Sequence, residues 1–210
     1  MKKLIPLLLV VLTFAACEKD PDTDKLDNKY LVYTNYDTKA DFKAFQTYYM
    51  PDSILIIGDK KEAEYWKDES AQEILQAYAT NMNNRGFVRV DDREEANLGL
   101  QVSYIKSTYY FNDYGRPEWW WNYPGYWDAP YWGNWGGWYY PYAVTYSYST
   151  NSFITEMVNL KADEGEGKKL PVIWTSYLTG FETGSKAINR TLAIEAVNQS
   201  FTQSPYLTNK

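Results

Sequence analysis

The sequence predicts an α+β domain of two layers, in which helices cover one face of a largely antiparallel sheet and a long aromatic-rich loop leaves it. Three observations predict this fold class. Two stretches carry apolar residues at helical spacing, several others alternate as strands do, and a glycine- and proline-rich aromatic segment separates two of the alternating runs. The chain has 210 residues, 45% of them hydrophobic, which predicts one core with room for a small annex, and a single domain over residues 30–210.

The predicted strands are short runs bounded by turn residues. YLVYTNY, from residue 30, is rich in β-branched and aromatic residues, and ADFKAFQTYYM after it predicts a bend and a second short strand. GFVRV, from residue 86, is a third strand. The run ANLGLQVSYIKSTYYF then places one set of side chains on one face of a strand: Leu98, Leu100, Val102 and Tyr104. Residues 142–149, 152–161 and 170–179 complete a meander, with ADEGEGKK between the last two.

Two helices are predicted from apolar spacing. The first follows the capping-box spacings from Asp59 to Glu62 and from Ser70 to Glu73, and it ends near Arg85 because Gly86 can adopt a left-handed conformation. Its buried side is predicted to hold Ala71, Ile74, Leu75, Tyr78 and Met82. The second begins near Thr183 and ends before Pro205. Its buried side is predicted to hold Ile188, Leu192, Ala196 and Val197.

The first 16 residues have the pattern of an export signal. Lys2 and Lys3 precede an apolar run from Leu4 to Leu12, and TFAAC places the only cysteine of the chain, Cys17, after two small residues. This pattern resembles a bacterial lipoprotein signal peptide, and the resemblance implies cleavage before Cys17 and lipid on its sulfur and amine. The alternatives are an ordinary secreted protein and, less favoured because the apolar run is short, a membrane-spanning helix.

A polar tether is predicted between the anchor and the domain, over residues 17–29. Its sequence after the cysteine, EKDPDTDKLDNK, is almost wholly polar. Its start partly resembles the export signal of surface lipoproteins of the Bacteroidetes, although Pro21 interrupts the acidic pair. We therefore expect an outer-membrane lipoprotein that faces either the periplasm or the cell surface.

Composition argues against several classes of function. The net charge of -6 opposes a nucleic-acid partner, which would need a positive surface. The chain has no histidine, and lipidation would use its only cysteine, so triads, thiol nucleophiles and the usual zinc sites are not predicted. DEGEG, from residue 163, is favoured as a hairpin turn over a calcium site. The sequence predicts no catalytic residue, metal or cofactor.

The aromatic insertion, residues 109–141, is the candidate binding segment. Between Tyr109 and Tyr148, 19 of 40 residues are Phe, Tyr or Trp, and glycines and prolines interrupt any regular element. The candidate contact residues are its seven tryptophans: Trp119, Trp120, Trp121, Trp127, Trp132, Trp135 and Trp138. Trp66 and Trp174, in regular elements, are predicted to lie in the core. Four roles remain open: self-packing, a partner protein, sugar rings, and the lipid interface.

Several motifs resemble those of the DUF4136 family of bacterial envelope lipoproteins. They are DTKADFKAFQTY, NNRGF, EEANLGLQVSY and VIWTSYLTG, in this order between residues 30 and 205. The resemblance implies lipid anchoring and an α+β fold, and it carries over no catalytic residue. Asn97 stands where the family usually has aspartate, and the aromatic insertion is far longer than the family pattern.

The expected function is that of a non-catalytic, lipid-anchored envelope protein whose aromatic loop makes an interaction. The membrane is one expected partner, through Cys17, and an envelope protein or a glycan is another. The alternative is a surface lipoprotein that binds or processes glycans. A two-carboxylate hydrolase would have to draw its acids from three residues of the insertion: Asp113, Glu118 and Asp128.

Overall fold

The computed structural model describes residues 30–58, 62–106, 138–142, 151–162 and 169–210. In these ranges the chain forms nine strands and two α-helices. The strands are β1 (Leu31–Tyr36), β2 (Thr47–Tyr49), β3 (Ile54–Ile57), β4 (Glu64–Trp66), β5 (Val88–Arg89), β6 (Leu98–Ile105), β7 (Trp138–Tyr139), β8 (Ser152–Asn159) and β9 (Leu170–Thr179). The helices are α1 (Glu69–Asn84) and α2 (Lys186–Thr202), and single 3-10 turns lie at Phe42–Ala44 and Arg93–Glu95.

The strands form one open mixed sheet in the order β1, β9, β8, β6, β2, β5. The long pairings, β1 with β9, β9 with β8 and β8 with β6, are all antiparallel. The parallel pairings are short: β2 and β3 lie one after the other along the same edge of β6, β5 pairs with β2, and β7 pairs with the first residues of β9. The predicted α+β fold is confirmed, and β3, β4 and β7 are strands that the sequence did not predict.

Helix α1 forms where its apolar spacing predicts it. All five predicted core residues are buried, together with Ala79. The N-cap is Asp68, whose carboxylate accepts a hydrogen bond from the Ala71 amide at 3.1 Å, so the predicted cap at Ser70 is wrong by two residues. The other predicted capping box starts at Asp59, which lies outside the described residues. Gly86 ends the helix with φ of 95°, as predicted.

Helix α2 begins slightly later than predicted. Ser185 is its N-cap, and the buried stripe runs from Leu192 to Phe201. Ile188 is 52% exposed, so its predicted place in the core is wrong. No residue of the first turn is buried, so the helix packs on the sheet only from its second turn onward.

Two hydrophobic cores lie on opposite faces of the sheet. The first core joins both helices to one face and contains Trp174, Tyr78 and Phe201. The Tyr78 hydroxyl accepts a hydrogen bond from Thr155 at 2.6 Å, which fixes α1 to the centre of the sheet. The second core contains no helix residue and lies on the opposite face, hereafter the outer face, with Leu55, Ile154 and Trp138 in it. Strands β6, β8 and β9 are consequently buried on both sides.

The motif NNRGF joins α1 to the C-terminal tail. The Arg85 guanidinium donates hydrogen bonds to the carbonyls of Ser204 at 3.0 Å and Leu207 at 3.1 Å, and to that of Phe201 at the end of α2. These bonds tie the end of α1 to the last turn of α2 and to the tail that follows it. A side chain on Gly86 would overlap the Asn209 amide, which donates to the Gly86 carbonyl at 2.8 Å. The motif therefore has a structural role.

Asn97 holds β2 against the start of β6. Its side-chain oxygen accepts hydrogen bonds from the amides of Gln46 at 2.8 Å and Thr47 at 3.3 Å, which lie some 50 residues earlier. A carboxylate oxygen could accept the same bonds. The position therefore requires an acceptor, and asparagine adds an amide donor to it.

Candidate functional site

A buried polar row crosses the centre of the outer face. Gln101 of β6, Glu156 of β8 and Thr175 of β9 are register partners on three neighbouring strands. Their exposed fractions are 5%, 1% and 0%, although most of the surrounding face is apolar. Such a row is costly to bury unless its polar atoms find partners, and it is therefore the most unusual chemical feature of the described sheet.

The last residues of the aromatic insertion and the residue after it reach this row. Strand β7 runs parallel to β9, with Trp138 opposite Leu170 and Tyr139 opposite Pro171. The Tyr140 hydroxyl donates a hydrogen bond to Oε1 of Glu156, and the Tyr142 hydroxyl donates to Oγ1 of Thr175 at 3.4 Å. The two tyrosine rings pack edge to face with centroids 5.7 Å apart. Residues 138–142 are thus bound to the sheet by alternate side chains.

Glu156 is the acidic residue of the buried polar row. Burial raises the pKa of its carboxyl well above the ordinary value of 4.5, because desolvation disfavours the charged form. Oε1 accepts from Tyr140, while Oε2 has no hydrogen-bond partner among the described residues. A neutral carboxylic acid fits these surroundings better than a carboxylate does. The site can therefore hold a proton, and ionisation of Glu156 would place an uncompensated charge under Tyr140.

The same face carries other buried hydroxyl groups. The hydroxyls of Ser152 and Tyr177 lie 3.0 Å apart, and both residues are buried. Ser103 is fully buried, and its hydroxyl has no hydrogen-bond partner among the described residues. In the parts of the chain that the structure describes, no three Asp, Glu, Cys or His side chains are grouped to hold a metal ion. Within the same ranges, neither helix is long and apolar enough to cross a membrane.

The structure separates the tryptophans into different environments. Trp138 was predicted to belong to the contact surface, but its side chain is 0% exposed and lies in the second core, so this assignment is wrong. The physical reason is that alternate side chains of residues 138–142 face the sheet: Trp138 is buried in the second core and the Tyr140 hydroxyl bonds to Glu156. The other candidate residues lie outside the described ranges: Cys17, Trp119, Trp120, Trp121, Trp127, Trp132 and Trp135, with the acids Asp113, Glu118 and Asp128.

The two tryptophans predicted to be core residues do pack against the first core. Trp174 is fully buried, and its indole nitrogen donates to the Ser204 hydroxyl at 3.0 Å. Trp66 is half-buried, and its ring lies 5.7 Å from that of Tyr104 and 6.2 Å from that of Phe153. The prediction is confirmed for Trp174, and Trp66 covers the edge of the same core.

Sequence reasoning missed Glu156 and Tyr140. A signal was present for Glu156, because it is the only charged residue in the strand sequence SFITEMVN. No comparable signal distinguished Tyr140 from the many tyrosines around it. Its role depends on the pairing of β7 with β9, which joins residues about 30 positions apart.

The fold and the buried polar row define a class: an open-sheet α+β domain with two helices on one face and an aromatic segment attached to the other. The sequence from residue 32 to residue 206 matches the family described as Domain of unknown function (DUF4136). The chain therefore belongs to the DUF4136 family.

Solved structures include a near relative. The crystal structure of a DUF4136 family protein from Bacteroides thetaiotaomicron VPI-5482 is 75% identical, covers 88% of this chain and 100% of its own, and superposes with a TM-score of 0.80. A PelC dodecamer from Paraburkholderia phytofirmans is 11% identical over 86% of this chain and 99% of its own, with a TM-score of 0.40. A PDZ domain protein from Parabacteroides distasonis ATCC 8503 is 13% identical over 85% of this chain and 36% of its own, with a TM-score of 0.36. No curated protein matches the sequence significantly.

Proposed function

We propose that this protein is a non-catalytic, lipid-anchored domain of the bacterial outer membrane that uses its aromatic insertion as an interaction surface. The observation that carries the proposal is the attachment of the end of the insertion to the outer face. Trp138 is buried there and Tyr140 is bonded to Glu156. A binding segment with one end fixed to a sheet loses less conformational entropy on binding a partner than a segment with no such attachment does.

The anchor is proposed from the first residues of the chain. Cys17 is the only cysteine and follows two alanines after an apolar run, which resembles a lipoprotein signal peptide with Phe14 where leucine is usual. Lipid at Cys17 would hold the domain at the outer membrane, facing the periplasm or the cell surface, with residues 17–29 as its tether.

The non-catalytic role is supported by the sequence and by the composition of the insertion. The chain has no histidine, and its only cysteine would carry lipid. Trp and Tyr dominate the binding energy of many protein interfaces, so a partner protein of the envelope is favoured as the occupant of the insertion.

Metabolic labelling with an alkyne-tagged fatty acid tests the anchor. We expect label on the native protein and none on Cys17→Ser, with both fractionated between membrane and soluble pools. Phe14→Leu, which installs the residue usual in such signal peptides, is the matched control and should keep the label. An unlabelled native protein would contradict the proposed anchor.

Site-specific photo-cross-linking in intact cells tests the interaction surface. A photoreactive residue in place of Trp132 should form a discrete adduct, and one in place of Asn84, at the exposed end of α1, should form none. Absence of an adduct from every tryptophan position between 119 and 135 would contradict the proposed role of the insertion.

A further inference from the structure

A cleft of about 510 Å³ opens at the end of the sheet where β6 begins and β8 ends. We call it the end cleft, and its walls come from the segment after β1, from Asn97 and Asn159, and from Tyr139 and Pro141. Its volume lies in the range of small-molecule sites in proteins. None of the three residues of the buried polar row lines the cleft.

The charged groups of the end cleft cancel each other. Asp37 and Asp41 supply two carboxylates, and Lys39 and Lys161 supply two ammonium groups. Lys161 is already engaged, because it donates to the Glu94 carbonyl at 3.1 Å. A phosphate or carboxylate ligand would gain little from such a balanced set, and a polycation would gain no more. The lining therefore favours a neutral ligand with many polar groups.

Two amide groups in the cleft have their donors available. Asn97 uses its side-chain oxygen on the amides of Gln46 and Thr47, and Asn159 uses its own on the Lys161 amide at 2.9 Å. The side-chain oxygens of Asn97 and Asn159 thus accept hydrogen bonds from backbone amides. Neither NH2 group has an acceptor among the described residues. The carboxylates complement them: Asp37 and Asp41 each use one oxygen on a backbone amide, which leaves the second oxygen as an acceptor.

Apolar surface lies beside these polar groups. The half-buried rings of Tyr139 and Phe45 line the cleft, together with Pro141 and Pro171. Aromatic faces pack well on the C–H faces of sugar rings, while fixed donors and acceptors bond the hydroxyls around the ring. The lining therefore combines balanced charges, hydrogen-bond donors beside acceptors, and aromatic ring surfaces. This combination suits a neutral ligand that carries several hydroxyl groups.

We propose that the end cleft binds a neutral glycan, of the size of a mono- or disaccharide. The inference rests on the proposed function in one respect, since Tyr139 and Pro141 belong to the aromatic insertion. It assigns a ligand class to the place where the insertion meets the sheet. Asn97 contributes a donor there that aspartate could not supply.

Saturation-transfer NMR on the full-length protein, held in a phosphocholine detergent, tests the proposal with maltose, cellobiose and N,N′-diacetylchitobiose as probes. We expect transfer to at least one of them. Asn97→Asp keeps the acceptor for Gln46 and Thr47 and replaces the NH2 donor by a charged oxygen, so the fold should persist while affinity falls about tenfold. Tyr139→Ala should weaken binding by about 2- to 10-fold. Asn84→Asp, the same chemical change at the exposed end of α1, should bind as the native protein does.

Each outcome decides the question. Transfer that is lost with Asn97→Asp and Tyr139→Ala and kept with Asn84→Asp supports the end cleft. Absence of transfer from all three sugars overturns it. Binding that survives both cleft substitutions and disappears with Trp132→Ala also overturns the cleft, while it supports the insertion as the interaction surface.

Discussion

Glu156 makes the stability of the fold depend on pH in a direction that can be calculated. Its carboxyl is 1% exposed, and burial raises its pKa well above 4.5. Below pH 4.5 the carboxyl is protonated in both the folded and the unfolded chain. As the pH rises, the unfolded chain releases this proton while the folded chain retains it. The free energy of unfolding therefore falls, by up to about 1.4 kcal/mol per pH unit, until the pH passes the folded-state pKa.

Glu156→Gln isolates this contribution. Glutamine has nearly the same shape and leaves an oxygen for the Tyr140 hydroxyl, but it does not titrate. The difference in unfolding free energy between the variant and the native protein should grow in favour of the variant as the pH rises above 5, with a slope of at most about 1.4 kcal/mol per pH unit, until the pH passes the folded-state pKa of Glu156. Other titrating groups are common to both proteins and cancel in the difference.

The assay is urea unfolding of residues 18–210 at pH 5, 6, 7 and 8, followed by tryptophan fluorescence. Glu195→Gln makes the same substitution at an exposed position of α2 and serves as the control. A constant difference between Glu156→Gln and the native protein over this range would mean that Glu156 is already ionised in the fold. The reasoning from its burial would then be refuted.

Three further substitutions test the packing around the site, each by urea unfolding at pH 6. Tyr140→Phe leaves Oε1 of Glu156 without its donor and should lower the free energy of unfolding by about 1–3 kcal/mol. A loss below about 0.5 kcal/mol would show that the bond is not formed in solution. Trp138→Ala should cost about 3–5 kcal/mol because it empties the second core, whereas Trp132→Ala should change stability by less than about 0.5 kcal/mol; equal losses would contradict the distinction between them. Gly86→Ala should cost more than about 1 kcal/mol, since φ of 95° and the Asn209 side chain both oppose a methyl group, and a neutral result would mean that the C-terminal tail is not docked.

The elements that were predicted are those with local signals. Helix α1 carries apolar residues at helical spacing, β6 alternates, and β8 and β9 are strand-like runs on either side of a turn sequence, so their existence follows from a few consecutive residues. Strand β3 was missed because ILII has no alternation, and β7 because two residues in an aromatic segment carry no period. The pairing of β2 with β6 depends on Asn97, whose partners lie some 50 residues away.

The buried site was not predictable for a related reason. Alternation in SFITEMVN assigns Thr155 and Glu156 to opposite faces, but it does not reveal that both faces are covered. Residues 138–142 bring Trp138 and Tyr140 to the outer face and cover part of it. Their contacts with the sheet are distant in sequence, so local patterns do not reveal them. The aromatic insertion could be recognised as unusual from composition, but composition does not separate the buried Trp138 from its neighbours.

Acrylamide quenching of tryptophan fluorescence in residues 18–210 tests the central proposal most directly. We expect two populations of indoles: a shielded one that includes Trp138 and Trp174, and an accessible one from the rest of the insertion that becomes protected when an envelope fraction containing the partner is added. The quenchable fraction of the fluorescence should fall in Trp132→Ala, which removes an accessible indole, and should not fall in Trp138→Ala, which removes a shielded one. Indoles that are uniformly shielded, and indifferent to every envelope fraction, would contradict an interaction surface and leave self-packing as the role of the insertion.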